Sequence, residues 1–405
     1  MLAPVFSHTD FRRYFLGSLL NVNAIWIQRV SLAWLAWELS GSAGFVGLVA
    51  GLSLIPSLFL GPLFGVWVDR TDIVRAAVIT TSSMLVILLA LMTLLWLDLL
   101  FPALLAFAAL AIGIANAAHQ PVRMSLAPRL VPTELMQGVI ALTAVNFNVA
   151  RLVAPVFAGM LIADYGAAAS LAVAVALLLP MLFILPTLTP RPLPAKVTAH
   201  PSLIASFTEG VTHARSTPLI WRCILLGGVF TFAARGMLEL LPVIADGQFN
   251  RGANGLGILT AAAGAGALMS AGLVALTAGR TVPESKLPVR VSGALLISQA
   301  LVALISVAPN WSAMIVLICA LGASSTFVGV SLQTQIQARL ADEMRGRVMS
   351  LWIVTGFGMA AVGSMVIGAV AQFAGIETAS AICGLIGFLL LCVLIFAPRG
   401  TFASR

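Results

Sequence analysis

Long apolar blocks alternate with short polar segments along this chain. A helix needs about 20 mostly apolar residues to cross a bilayer core about 30 Å thick, and lipid does not tolerate open sheet edges. The pattern therefore predicts an all-α membrane protein with twelve transmembrane helices, at residues 11–38, 44–68, 73–96, 101–123, 135–162, 167–188, 219–244, 253–279, 288–308, 312–337, 346–373 and 377–397.

The amino-acid composition also indicates a membrane protein. Of the 405 residues, 60% are hydrophobic and only 9% are charged, whereas about 25% of the residues of a soluble domain are charged. The net charge of +8 would suggest nucleic acid in a soluble protein. Here the basic residues lie in loops between apolar blocks, so the expected partner is the lipid bilayer and not nucleic acid.

Basic residues alternate between loops. If the N-terminus lies in the cytoplasm, Lys and Arg fall in every second loop, and Arg251 is the single basic residue of the opposite loops. Cytoplasmic loops of membrane proteins are enriched in Lys and Arg. The alternation therefore predicts a cytoplasmic N-terminus, and twelve spans place the C-terminus on the same side.

The second half of the chain repeats the first. A gapless shift of 209 positions relates Glu134, Val139, Leu142, Gly159 and Gly166 to Glu343, Val348, Leu351, Gly368 and Gly375. This repeat predicts two six-helix bundles, at 1–189 and 219–405, joined by a cytoplasmic linker at 190–218. Residues 202–215 of the linker are weakly amphipathic, which predicts either a helix at the membrane face or a plain connection.

The loop after the second predicted helix carries a motif. Residues 61–75 resemble the GxxxDRxxxxR loop of the major facilitator superfamily, with Gly65, Asp69, Arg70 and Arg75 at the motif positions. Residues 26–28, 34–42, 148–159 and 345–351 are similar to its bacterial drug and siderophore exporter branch, which includes the enterobactin exporter. The resemblance covers essentially the whole chain. It implies the major facilitator fold and a secondary transporter of the bacterial inner membrane that works by alternating access.

The resemblance implies that this loop is a conformational clamp. Asp69 is expected to hold the two bundles together on the cytoplasmic side while the outer side is open, with Arg123 and Arg345 as partners. A carboxylate is stabilised near a helix N-terminus and by nearby guanidinium groups. The alternative is that Asp69 and Arg70 only set the membrane topology.

Polar residues inside the predicted spans are candidates for substrate binding or proton coupling, because they are costly in lipid. The resemblance implies that the first, fourth, seventh and tenth helices line a central cavity. The candidates are Asn23, Gln28, Arg29, Asn116, His119, Asn148, Arg151, Arg235, Glu239 and Gln333.

Alternatives remain open for the charged candidates. Arg29 and Arg151 either contact an anionic substrate or donate hydrogen bonds to backbone carbonyls. Glu239 lies four residues after Arg235, so it either carries the coupled proton or neutralises that arginine. For His119 we favour a structural hydrogen bond over a proton relay.

Missing motifs narrow the class of protein further. The sequence has no P-loop for direct ATP use and no nucleophile–base signature of an enzyme. The four cysteines lie in apolar blocks without metal-ligand spacing, so no metal or cofactor is expected. The prediction is a monomeric, proton-coupled exporter of a small organic molecule. An importer on the same fold and a non-transporting membrane scaffold or sensor are the alternatives.

Overall fold

The computed structural model describes residues 3–192, 203–276 and 287–396, without the side chain of Asp69 and a few others. The linker residues 193–202 and the predicted span ends at 277–279 and 397 lie outside the described residues. Within them every regular element is helical, as the sequence predicts.

Twelve helices form the framework. In chain order they are α1 (Thr9–Ser40), α2 (Ala43–Arg70), α3 (Ile73–Trp96), α4 (Pro102–Leu126), α5 (136–165), α6 (167–184), α7 (beginning with Pro218–Phe230), α8 (Gly252–Leu276), α9 (Val289–Leu304), α10 (Trp311–Gln337), α11 (342–374) and α12 (376–396). A short helix, Ala3–Phe6, precedes α1.

Helix length and composition fit a membrane protein. In the described part of the chain, nine helical runs are long and apolar enough to cross a bilayer. Two of these runs, Thr133–Thr187 and Met344–Phe396, each contain two helices separated by a glycine. Together with the 32-residue α1, they are consistent with the twelve predicted spans.

Two glycines separate consecutive helices in the same way. Gly166, between α5 and α6, has φ 82° and ψ 166°, and Gly375, between α11 and α12, has φ 83° and ψ 155°. This backbone region is essentially restricted to glycine, because a Cβ atom would clash there. The two glycines occupy corresponding positions of the predicted repeat. The duplication therefore reappears as a matched pair of backbone breaks.

Contacts along the chain define two compact units. The first comprises Met1–Gly41, Ile55–Val197 and Asn250–Ala261, and the second comprises Ser42–Leu54, Thr198–Phe249 and Ala262–Arg405. The start of α2 thus groups with the second unit, and the start of α8 groups with the first. The bundle boundaries 1–189 and 219–405 stay a prediction.

An apolar core lies around the loop motif in the first unit. Val68 and Ile73, on either side of the motif, are both buried in a cluster that includes Phe11 from α1. Asp10, in the first turn of α1, accepts hydrogen bonds from the backbone N–H and the hydroxyl of Thr189. The hydroxyl bond holds the pKa of Asp10 below its usual value. These contacts fix the end of the unit that carries the motif.

The linker forms a helix in the second unit. Leu203–Ser216 is helical, which resolves the alternative left open for residues 202–215 in favour of a helix. Its Glu209 pairs with Arg347 at the start of α11. A Cβ atom on Gly210 would lie 2.8 Å from the carbonyl oxygen of Arg347, so the two helices meet at their backbones. A position at the membrane face stays a prediction.

Replacing Gly166 or Gly375 by alanine should lower the free energy of unfolding by about 1–3 kcal/mol, the usual cost of such a strained backbone. The matched control is Gly293→Ala in α9, where the backbone is helical and none of the atoms that the structure describes lies within 4 Å of the new Cβ. That change should be neutral or stabilising. Thermal unfolding of the detergent-purified protein measures both effects. An unchanged Tm in both breakpoint variants would contradict the expected strain.

Candidate functional site

Helices α2 and α11 meet at glycine in the second unit. A Cβ atom on Gly47 would lie 2.2 Å from the carbonyl oxygen of Ser364, and one on Gly368 would lie 2.6 Å from that of Ala43. The Ser364 hydroxyl also donates a hydrogen bond to the Gly47 carbonyl oxygen, at 3.3 Å. Only glycine lets the two backbones approach so closely.

Helices α5 and α8 make the corresponding contact in the first unit. A Cβ atom on Gly159 would lie 2.6 Å from the carbonyl oxygen of Ala253, and one on Gly257 would lie 2.6 Å from that of Pro155. Gly159 is the residue that the repeat relates to Gly368. The α2–α11 contact of the second unit and the α5–α8 contact of the first unit are therefore of the same design.

The loop motif places a carboxylate at the N-terminus of α3. Asp69 lies in the last turn of α2, which ends at Arg70, and its side chain is outside the described part of the chain. The N-terminus of α3 is capped by Asp72, whose Oδ1 accepts a hydrogen bond from the backbone N–H of Arg75 at 2.9 Å. Asp72 is thus a carboxylate that a helix N-terminus stabilises, and the role expected for Asp69 stays a prediction.

The remaining clamp candidates are placed as follows. Gly65 lies within α2, and among the described residues no atom lies within 4 Å of its Cβ position. Arg123 does not end its helix, because α4 continues to Leu126, and its guanidinium lies 5.4 Å from the ring centroid of Phe147. Arg345 is exposed near the start of α11. The clamp role of these residues stays a prediction.

Two of the predicted cavity residues and one of the clamp candidates share aromatic neighbours in the first unit. The guanidinium carbons of Arg29 and Arg151 lie 5.6 Å and 5.9 Å from the ring centroid of Trp26. Trp26 in turn meets Phe147 with 5.7 Å between ring centroids, and Arg123 lies over Phe147. We call these five residues the arginine–aromatic cluster. Its two rings were not predicted as site residues, because aromatic side chains in apolar spans are ordinary packing residues.

A second polar group lies beside this cluster. His119 is buried, and its Nδ1 is 3.2 Å from the Thr80 hydroxyl, which supports the preferred structural hydrogen bond. Its Nε2, the Thr81 hydroxyl and Asn21 Nδ2 are buried without a hydrogen-bond partner among the described residues. They line a cavity of about 10 Å³, which has room for about one water. Arg123 also lines this cavity.

The other uncharged candidates are less informative. Asn23 and Asn148 each donate a side-chain hydrogen bond to a carbonyl one turn back in their own helix, at 2.7 Å and 2.8 Å. Gln28 is buried in α1, whereas Asn116 and Gln333 are partly buried.

Arg235 and Glu239 lie in an irregular part of α7 that the sequence pattern did not predict. Thr231–Arg235 is a π-helical turn, followed by the short α-helix Gly236–Leu238. A second π-helical turn, Val243–Gln248, begins at the predicted end of this span, residue 244, and continues beyond it. Single π-helical turns within helices are frequent at functional sites. The choice between a proton carrier and a neutralising pair stays open.

The twelve-helix order, the internal repeat and the paired glycine contacts define a membrane transporter of the major facilitator superfamily. The chain belongs to the family of transmembrane secretion effectors, whose sequence pattern matches residues 1–400. It is therefore a secondary transporter that exports a small molecule, and this confirms the class and the direction predicted from the sequence.

Known proteins show the same resemblance over nearly the whole chain. The enterobactin exporter EntS of Shigella boydii serotype 18 is 28% identical over 418 aligned positions, covering 97% of this chain and 94% of that protein. Two solved structures share the fold. A bacterial homologue of the human lysosomal transporter Spinster, inward-facing and unoccupied, has a TM-score of 0.76 at 14% identity, covering 97% of this chain and 98% of that one. The nucleoside transporter NupG has a TM-score of 0.72 at 16% identity, with 98% and 100% covered.

Asp69→Asn should reduce transport turnover by about tenfold, the effect of losing one charge-assisted hydrogen bond, while substrate binding stays measurable. Asp72→Asn is the matched control. It removes a charge from the same loop but keeps a side-chain oxygen that caps α3 equally well. Its turnover and unfolding temperature should match those of the wild type. Initial rates of substrate uptake into inverted vesicles measure turnover. If the Asp69→Asn rate equals the wild-type rate, the loop only sets topology.

Proposed function

We propose that this protein is a proton-coupled exporter of a small organic anion in the bacterial inner membrane. It acts as a monomer with both termini in the cytoplasm, and it works by alternating access. The whole-chain match to a secretion family supports export, and the loop charges support the orientation.

The paired glycine contacts carry the alternating-access part of the proposal. In the predicted orientation, the starts of α2 and α8 and the ends of α5 and α11 all lie toward the outer face. The contacts at Gly47 and Gly368 and at Gly159 and Gly257 therefore sit at the outer ends of the spans. We infer that both contacts separate when the substrate leaves outward and form again when the cytoplasmic side opens. Smooth backbone surfaces without interlocking side chains suit such repeated separation.

A siderophore is the first substrate to test. The curated relatives at 28% identity are named as enterobactin exporters. The candidates at membrane depth comprise the arginines Arg29, Arg151 and Arg235, against one acid, Glu239. An excess of fixed positive charge favours an anionic or zwitterionic molecule.

Flux measurements in inverted vesicles test the proposed function. Substrate should accumulate inside vesicles that hold an acidic lumen, and accumulation should release protons from the lumen. Uptake by right-side-out vesicles instead would support an importer. Absence of flux in either preparation would support a scaffold or sensor.

Gly368→Ala should slow transport by about tenfold or more, because the new Cβ would lie 2.6 Å from the Ala43 carbonyl oxygen and would force the closed contact apart. Gly356→Ala is the matched control in the same helix, where no atom of the described part of the chain lies within 4 Å of the new Cβ. The two variants are compared in the same vesicle assay. Equal rates would exclude the α2–α11 contact from the transport cycle.

Glu239→Gln should abolish the dependence of export on the pH gradient if Glu239 carries the coupled proton, because glutamine cannot titrate. Asp246→Asn, in the second π-helical turn of α7, is the control and should keep that dependence. Export rates are measured in vesicles with and without an imposed gradient. An unaltered response in Glu239→Gln would leave the residue as the partner of Arg235.

A further inference from the structure

The central arginines of the arginine–aromatic cluster lie at membrane depth. Arg29 and Arg151 lie near the middle of α1 and α5. Ionisable residues at this depth face a cavity or the protein interior and mark ligand or ion pathways.

The two central arginines share one ring. The guanidinium carbons of Arg29 and Arg151 are both within about 6 Å of the Trp26 centroid. A ring face attracts a cation, so Trp26 helps to hold both guanidinium groups in place. An anion bound beside both groups would be attracted by two positive charges. Guanidinium groups suit this role because they bind carboxylates through two parallel hydrogen bonds.

The two rings provide a surface for a planar ligand. Trp26 and Phe147 meet edge to face, with 60° between their planes, so they cannot stack fully on each other. Both side chains are partly exposed. The indole N–H of Trp26 is buried and has no acceptor among the described residues. A flat ligand that bears an oxygen acceptor could stack on a ring and accept this hydrogen bond after a small side-chain movement.

We propose that Trp26, Arg29, Phe147 and Arg151, with Arg123 at one edge, form a binding site for a planar aromatic anion such as an aromatic carboxylate. The carboxylate lies between the guanidinium groups of Arg29 and Arg151, and the aromatic ring lies against Trp26 or Phe147. The inference rests on the proposed function, because it assigns a substrate class and a location to the exported molecule.

Three small probes separate the contributions of charge and ring. They are 2-naphthoate, the neutral 2-naphthamide and the non-aromatic anion cyclohexanecarboxylate. Binding to the full-length, detergent-purified protein is measured by titration calorimetry. We expect 2-naphthoate to bind about tenfold more tightly than either of the others, because it alone offers both a charge-assisted hydrogen bond and a stacking face.

Single substitutions locate the site. Arg29→Gln and Arg151→Gln should each weaken 2-naphthoate binding by about tenfold and leave 2-naphthamide binding unchanged. Trp26→Leu should weaken both aromatic probes and spare cyclohexanecarboxylate. Arg215→Gln is the matched control, because Arg215 lies 5.1 Å from the Trp221 ring centroid as a single arginine–tryptophan pair in the second unit. It should change none of the three affinities.

Two results would overturn the proposal. The first is that all three probes bind with equal affinity or that none of them binds. The second is that the Arg29→Gln/Arg151→Gln double variant binds 2-naphthoate as tightly as the wild type. If a glutamine variant does not fold, Arg151→Lys keeps the charge but loses the planar fork, and it should still weaken 2-naphthoate binding. Vesicle flux separates this inference from the proposed function. If the protein binds 2-naphthoate at the cluster but exports nothing, the binding site is supported and the proposed function is wrong. If the protein exports its substrate but the arginine variants bind 2-naphthoate with unchanged affinity, the proposed function is supported and the binding site is wrong.

Discussion

Close contact between helix backbones at small residues is the interaction on which this structure depends. Lipid tails are as apolar as leucine, so the hydrophobic effect does not hold helices together within a bilayer. Attraction then comes from dispersion, which requires surfaces that approach closely. Glycine supplies such surfaces throughout the second unit. At Gly363, for example, a Cβ atom would lie 2.1 Å from the carbonyl oxygen of Phe232, and at Gly322 it would lie 2.1 Å from that of Ala263.

Close backbone contacts at small residues are permanent at some positions and can separate at others. A contact deep in a bundle is surrounded by further packing, as at Gly227, where a Cβ atom would lie 2.5 Å from the Trp352 ring. The contact of Gly47 with α11 is flanked instead by polar groups, since Ser42 donates a hydrogen bond to Gln372 Oε1 at 2.7 Å. A polar contact at the predicted end of a span can exchange its partner for water. Such a contact is suited to opening and closing during a transport cycle.

The sequence predicts those features that follow from apolar periodicity, but it does not predict features that depend on where a turn falls. The spans, the repeat and the breaks at Gly166 and Gly375 follow from the block pattern and from glycine positions. The cap of α3 could have been predicted too, because Asp72 stands directly before the apolar run that begins at Ile73. The superfamily motif includes Asp69 and not Asp72, so the motif alone does not predict this cap.

Features that need tertiary contacts were beyond the sequence. Nothing in a run of apolar and small residues distinguishes the π-helical turn Thr231–Arg235 from ordinary α-helix. Likewise Trp26 and Phe147 come from helices more than 100 positions apart, and only the fold shows that they meet. Arg29 and Arg151 were predicted as site residues because charged residues are rare in lipid. Their common position beside the Trp26 ring could not be predicted from the sequence.

The repeat is kept at the glycine contacts and lost at the charged residues, and this difference has a mechanistic meaning. Gly159 and Gly368 correspond. Gly41, two residues before α2, and Gly252, the first residue of α8, lie within two positions of correspondence and have φ of 57° and 58°. Counted along the repeat, the middle of α7 corresponds to the part of α1 that carries Trp26. In α1 that part is a continuous helix, whereas α7 has a π-helical turn there. Alternating access needs two similar halves that move alike, but a single substrate needs one asymmetric set of contacts. The duplicated chain meets both needs because its backbone contacts stayed alike while its charged residues diverged.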